Sequence, residues 1–93
     1  MRNEFRLRII SPSMSYYDGA CTSLVVPTTE GMYGIMANHM NVVAAITEGK
    51  LKYTDGNGAA HYAWVSEGLL KFENNEALVL VNTVEAGDTS TPE

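Results

Sequence analysis

Cysteine is almost missing from these 93 residues, since Cys21 stands alone. One thiol excludes an intramolecular disulfide, and with it a disulfide-stapled secreted scaffold. Thr22 follows it and no histidine or lysine lies close in sequence, so Cys21 reads as an inert, packed thiol. Basic residues are also few, six Lys and Arg against eleven Asp and Glu, for a net charge of −5. A nucleic-acid surface needs clustered cations to replace counterions, and none are clustered here. The acidic excess favours solubility and leaves room for a basic protein partner. No apolar run approaches the roughly 18–20 residues of a membrane span. Met1-Arg2-Asn3-Glu4-Phe5 lacks the apolar core of a signal peptide. Direct membrane insertion is therefore not expected, and any membrane association must run through a partner.

Motifs of chemistry are missing as well. There is no Gly-x-Ser-x-Gly elbow and no Gly-rich loop followed by Lys to cradle phosphate. His39 and His61, the only histidines, lack the close spacing of a zinc site. Glu48, Glu67 and Glu73 lie on different segments, so no carboxylate pair is legible. The expectation is a non-enzyme without metal or cofactor.

What the sequence does contain is alternation. With 45% apolar residues it is too hydrophobic to be disordered, and its length suits one small domain. Phe5, Leu7 and Ile9 alternate with Glu4, Arg6 and Arg8, giving a strand that Ser11-Pro12-Ser13 stops. Tyr16-Tyr17 precede Asp18-Gly19, which reads as a turn. Leu24-Val25-Val26 form a β-branched run closed by Pro27, and Thr28-Thr29-Glu30-Gly31 turn the chain. The best hairpin signal runs from Lys50 to Val65 around Asp55-Gly56-Asn57-Gly58, where Asp-Gly and Asn-Gly tolerate positive φ. Leu70 and Phe72 alternate before an Asn74-Asn75 turn, and Ala77 to Val81 supply a last strand.

Ile35, His39, Val42, Val43 and Ile46 fall near helical spacing. Against a helix stand Asn38 and Asn41, poor helix formers, and the strand-favouring Val42-Val43. The segment reads as strand, loop, strand. The whole predicts an all-β, two-layer antiparallel sandwich of about eight to ten short strands over residues 1–85, with a disordered tail at 86–93.

Val26-Pro27-x-x-Glu30-Gly31-x-x-Gly34-Ile35-x-x-x-His39 resembles the loop of F-type ATP synthase epsilon subunits. Their order of parts is shared too. Ser11-Pro12 closes the opening strand, Val43-x-Ala45-Ile46 precedes Gly49-x-Leu51, and Val65-Ser66-x-Gly68 takes the place of a Val-Ser-Gly-Gly turn. The resemblance covers residues 4 to about 85 and implies a non-catalytic central-stalk subunit of a proton-translocating synthase. Its place would be peripheral, on the cytoplasmic face of the bacterial membrane. The implied partners are the gamma subunit, with Ser11 and His39 toward it, and the ring of c subunits, with Glu30, Gly31 and Met32 toward that. The C-terminal helical hairpin of full-length members is expected to be absent here. Met32 stands where many members carry an acid, and Ala37-Asn38 where they carry Pro-Gly. Each residue also has a plainer role: positive φ for Gly31 and Gly34, a strand end for Ser11, a loop cap for His39. A rival reading, a ligand- or carbohydrate-binding sandwich, rests on Tyr16, Tyr17, Tyr33, Tyr53, Tyr62 and Trp64 as an aromatic platform.

Overall fold

The inward side chains of the first strand, Phe5, Leu7 and Ile9, are fully covered, while Arg6 faces solvent. That alternation carries through the computed structural model, which describes residues 3–87. Among the described residues there are nine strands and no helix. They are β1 (Phe5–Ser11), β2 (Met14–Thr28), β3 (Gly31–Met36), β4 (Val42–Ile46), β5 (Gly49–Asp55), β6 (Ala60–Val65), β7 (Gly68–Glu73), β8 (Glu76–Val81) and β9 (Val84–Ala86).

The strands form one hydrogen-bonded path, β4-β7-β8-β1-β2-β5-β6-β9, with β3 added on β2. β2 is the hinge of that path. Its first half pairs with β1 as far as Cys21, and its second half pairs with β5 and β3. A register shift at Cys21/Ser23 marks the bend, and another, at Ile9/Ile10, lies opposite the start of β2. Extra residues in a ladder sharpen twist and let one strand change sheets. The first layer is therefore β4, β7, β8, β1 and early β2; the second is late β2, β3, β5, β6 and β9. Their inner faces share a single core, from Leu7, Ile9, Leu70, Phe72 and Val79 to Leu24, Ile35, Leu51 and Val65. Tyr17 and Tyr53 bring the layers together with ring centroids 4.6 Å apart.

Some expectations are corrected here. Asp18-Gly19 is no turn: it lies within β2, where Asp18 faces Arg8 and its carboxylate accepts both Arg6 guanidinium hydrogen bonds at 2.9 and 3.0 Å. Pro27 does not close its strand either, because β2 runs on to Thr28 opposite β3. The ladder to β5 has already ended at Val25–Lys52, so the missing N–H costs no pairing on that side. The sheet also departs from pure antiparallel order at one seam, since β1 and β8 run parallel.

Nor is Ala77 to Val81 the last strand, since β9 follows it and pairs with β6; the loop and hairpin readings match. Residues 35–48 are strand, loop, strand, with Asn38 at φ 68° where the resemblance has glycine in other members. Asn74 and Asn75 both take positive φ between β7 and β8, as a two-residue hairpin turn demands. Of the tail expected from residue 86, Ala86 ends β9 and the Gly87 N–H donates to the Tyr62 carbonyl at 2.8 Å. Residues 88–93 lie outside the described residues.

Candidate docking surface

The connections divide between two ends. The β1–β2, β4–β5, β6–β7 and β8–β9 links lie at what we term the lower end, and the β2–β3 turn joins them through the Thr47 N–H on the Pro27 carbonyl at 3.0 Å. The 37–41 loop, the 56–58 turn and Asn74-Asn75 lie at the upper end.

Ser11 ends β1 at the lower end and is only 6% exposed. Its hydroxyl is occupied by its own turn, 3.4 Å from Ser13 Oγ and 3.5 Å from the Met14 carbonyl. Beside it opens a concavity of about 640 Å³, lined by Ile10, Pro12, Ile46, Gly68 and Leu80. Glu30, Gly31 and Met32 share that end. The Thr28 hydroxyl donates to the Gly31 carbonyl at 2.6 Å and accepts from the Glu30 N–H at 3.2 Å, which pins the turn. Gly31 has φ 110°, so glycine is required there, and Met32 projects with 61% of its surface exposed. Gly34, by contrast, needs no positive φ; it is an ordinary strand residue opposite Val25.

His39 is at the opposite end. Its ring lies edge-on to Phe72, which itself meets Phe5, so His39 sits over the start of β1 and Ser11 at its finish. Six residues of strand put roughly 20 Å between them. The fold does not bring Ser11 and His39 together. His39 Nδ1 lies 2.7 Å from the Met40 carbonyl, which can only accept, so the proton is on Nδ1 in the neutral ring. Nε2 then accepts from the Tyr33 hydroxyl at 3.1 Å. Both nitrogens are spent on holding the 37–41 loop.

The tyrosines do not form one platform. Tyr53 is buried, and Tyr16, Tyr17 and Tyr33 lean on the core, leaving Tyr62 and Trp64 outward on β6.

A surface that residue spacing alone hides appears on the outer face of the first layer. Ala45 stands opposite Leu69, Leu69 opposite Leu80, and Leu80 opposite Ile10. Strand spacing of about 4.8 Å makes this an unbroken apolar row some ~14 Å long, ending beside Ser11. Leu69 and Leu80 are 42% and 41% exposed, and Val43 on the next rung is 63% exposed. Toward the upper end the same face turns charged, with Lys71 paired to Glu73 at 3.1 Å and Arg6 to Asp18 at 2.9 Å. Each of these strands alternates correctly, but the adjacent Leu69-Leu70 hides which leucine is inward. Only register reveals the row.

Comparison with known proteins decides the family. Residues 4–87 match the model of the ATP synthase delta/epsilon chain β-sandwich domain. The chain belongs to that family. A similar relative, the ATP synthase epsilon chain of Alkaliphilus oremlandii, is 36% identical over 85 residues, covering 91% of this chain and 63% of the relative. An ATP synthase epsilon chain of Prochlorococcus marinus is 33% identical over 81 residues, or 87% and 60% of the two chains. This delta/epsilon domain thus spans somewhat under two thirds of those relatives. Its fold recurs in a chain of the Euglena gracilis mitochondrial ATP synthase, with TM-score 0.86 at 15% identity over 92% of this chain and 55% of that one. It recurs again in the central stalk and c-ring structure from Tetrahymena thermophila, with TM-score 0.73 at 15% identity over 86% and 64%.

Proposed function

We propose that this domain is a non-catalytic part of the central stalk of an F-type proton-translocating ATP synthase, docking on gamma and the c-ring to couple proton flow to ATP synthesis. The reading places it peripherally on the cytoplasmic face of the bacterial membrane, held there by its partners. Membership of the delta/epsilon family supports the assembly. The observation that carries docking is the row Ala45, Leu69, Leu80 and Ile10. Apolar side chains aligned across four strands and left in water mark an interaction face. In this reading the row and the Ser11 edge meet gamma, while the rigid turn of Glu30, Gly31 and Met32 meets the ring loops. Met32 supplies an adaptable apolar contact where many members of the family carry an acid. His39 contributes on the gamma side by fixing the loop rather than by offering a free nitrogen.

The test is binding of a Leu69→Asp, Leu80→Asp variant to a gamma–c-ring assembly. Outward changes of this kind usually cost about 0.5 kcal/mol or less, so the melting temperature should hold within a few degrees. Affinity should fall at least about tenfold, the equivalent of ~1.4 kcal/mol. Unchanged affinity would move the gamma contact off this face. Met32→Asp, measured separately against the c-ring alone, checks the lower turn.

A further inference from the structure

The outer face of the second layer carries a different pattern. Gly34, Val25, Lys52 and Tyr62 form one cross-strand row; Lys50, Trp64 and Glu85 form the next. The Lys50 ammonium lies 5.2 Å from the centroids of both Tyr62 and Trp64, and that of Lys52 lies 5.8 Å from Tyr62. Among the described residues neither lysine forms an ion pair, in a chain with nearly two acids for every base. Trp64, the only tryptophan, is 49% exposed on this face.

We infer that this face docks an acidic protein segment bearing apolar side chains. Two ammonium groups held over rings keep their charge in place at little further entropic cost, so an incoming carboxylate meets a preorganised site. Tyr62 and Trp64 supply the large rigid contact area typical of interface anchors. Bare Gly34 beside Val25 leaves a flat shelf on which a segment can lie close. Over β2, β5 and β6 the partner meets side chains rather than backbone, because those strands are paired on both edges. Glu48 and Glu85 flank Trp64 at the lower end of the face. Their charge repels carboxylates there and sets the polarity of docking: the acidic part over Lys50 and Lys52, an uncharged or basic part toward Glu48 and Glu85. This face is on the layer opposite the apolar row, and the inference stands whether or not that row meets gamma.

Trp64 is itself the reporter. The full chain is titrated with a synthetic peptide of glutamate and leucine, with a lysine–leucine peptide and with vesicles containing anionic phosphatidylglycerol. The expected result is a saturable blue shift of Trp64 emission with the glutamate–leucine peptide only, weakening as salt is raised. Lys50→Gln with Lys52→Gln should weaken that binding at least about tenfold, and Lys50→Arg with Lys52→Arg should retain it. No saturable shift, an equal response to the lysine peptide, or insensitivity to salt would overturn the inference. A shift with vesicles but not with the acidic peptide would assign the face to lipid instead. No synthase subunit is present, so failure here leaves the docking on gamma untouched.

Discussion

Cys21 lies in the bend of β2 with none of its surface exposed, and its thiol donates to the Ser23 carbonyl at 3.2 Å. Burial pushes its pKa up to about 11, so the thiolate required for alkylation is scarce at neutral pH. Iodoacetamide should label Cys21 only as fast as the protein unfolds, and at full speed in denaturant; rapid labelling under native conditions would contradict the burial. Asp55 offers a second residue-level test. The His61 imidazole N–H at 2.8 Å, with the Ala59 and Asn57 backbone N–H groups, holds its carboxyl below the usual range. A depressed carboxyl stabilises the fold above its unfolded pKa of about 3.9 and loses that contribution as pH falls toward the folded value. Urea midpoints should therefore drop as the solution is taken below about pH 4, and Asp55→Asn should flatten that slope. An unchanged slope would show that other carboxylates dominate.

At the scale of elements, the β6–β7 corner is the tightest point. A methyl on Gly68 would collide with the Leu80 carbonyl oxygen and with Val81 of the neighbouring strand. Backbone cannot yield cheaply there, so Gly68→Ala should cost about 2–3 kcal/mol by overpacking, read as a lowered denaturation midpoint with circular dichroism still β-rich. Short-range signals made the elements legible. Asp55-Gly56-Asn57-Gly58 and Asn74-Asn75 announced their hairpins because turns need particular residues at particular φ. Asp18-Gly19 carried the same signature and misled, since here tertiary pairing with β1 and a salt bridge to Arg6 override it. The fifteen residues of β2 could not be read as one strand, because a strand that serves two layers switches its inward face at a bulge. The resemblance marked Ser11 and the Glu30–Met32 turn, but a linear motif does not say which end of the molecule each occupies. The apolar row was invisible for that reason: it is a property of register between strands distant in sequence.

For the molecule as a whole, every strand connects through β2 to a single sheet around a single core. Nothing divides it into separately stable parts, so unfolding should be one cooperative transition. Coincident denaturation curves from Trp64 fluorescence and far-ultraviolet dichroism would bear that out; separated curves would mean that the layers melt independently. The two outer faces, one apolar and one basic-aromatic, belong to opposite layers. Substitutions on them should act additively on stability, since they share no neighbours.

The parallel seam between β1 and β8 has a consequence in time. β1 cannot complete its edge until Glu76 to Val81 exist, because Arg6 to Ile10 find their partners some seventy residues later. On the ribosome that edge of the opening strand must therefore stay unpaired while nearly the whole domain is made. Contacts this distant slow folding, and β-sandwiches dominated by them fold in milliseconds to seconds, roughly a thousandfold slower than helical bundles. The local hairpins β1–β2, β5–β6 and β7–β8 are free to form first, so the seam that joins the beginning of the domain to its end is the pairing that closes it.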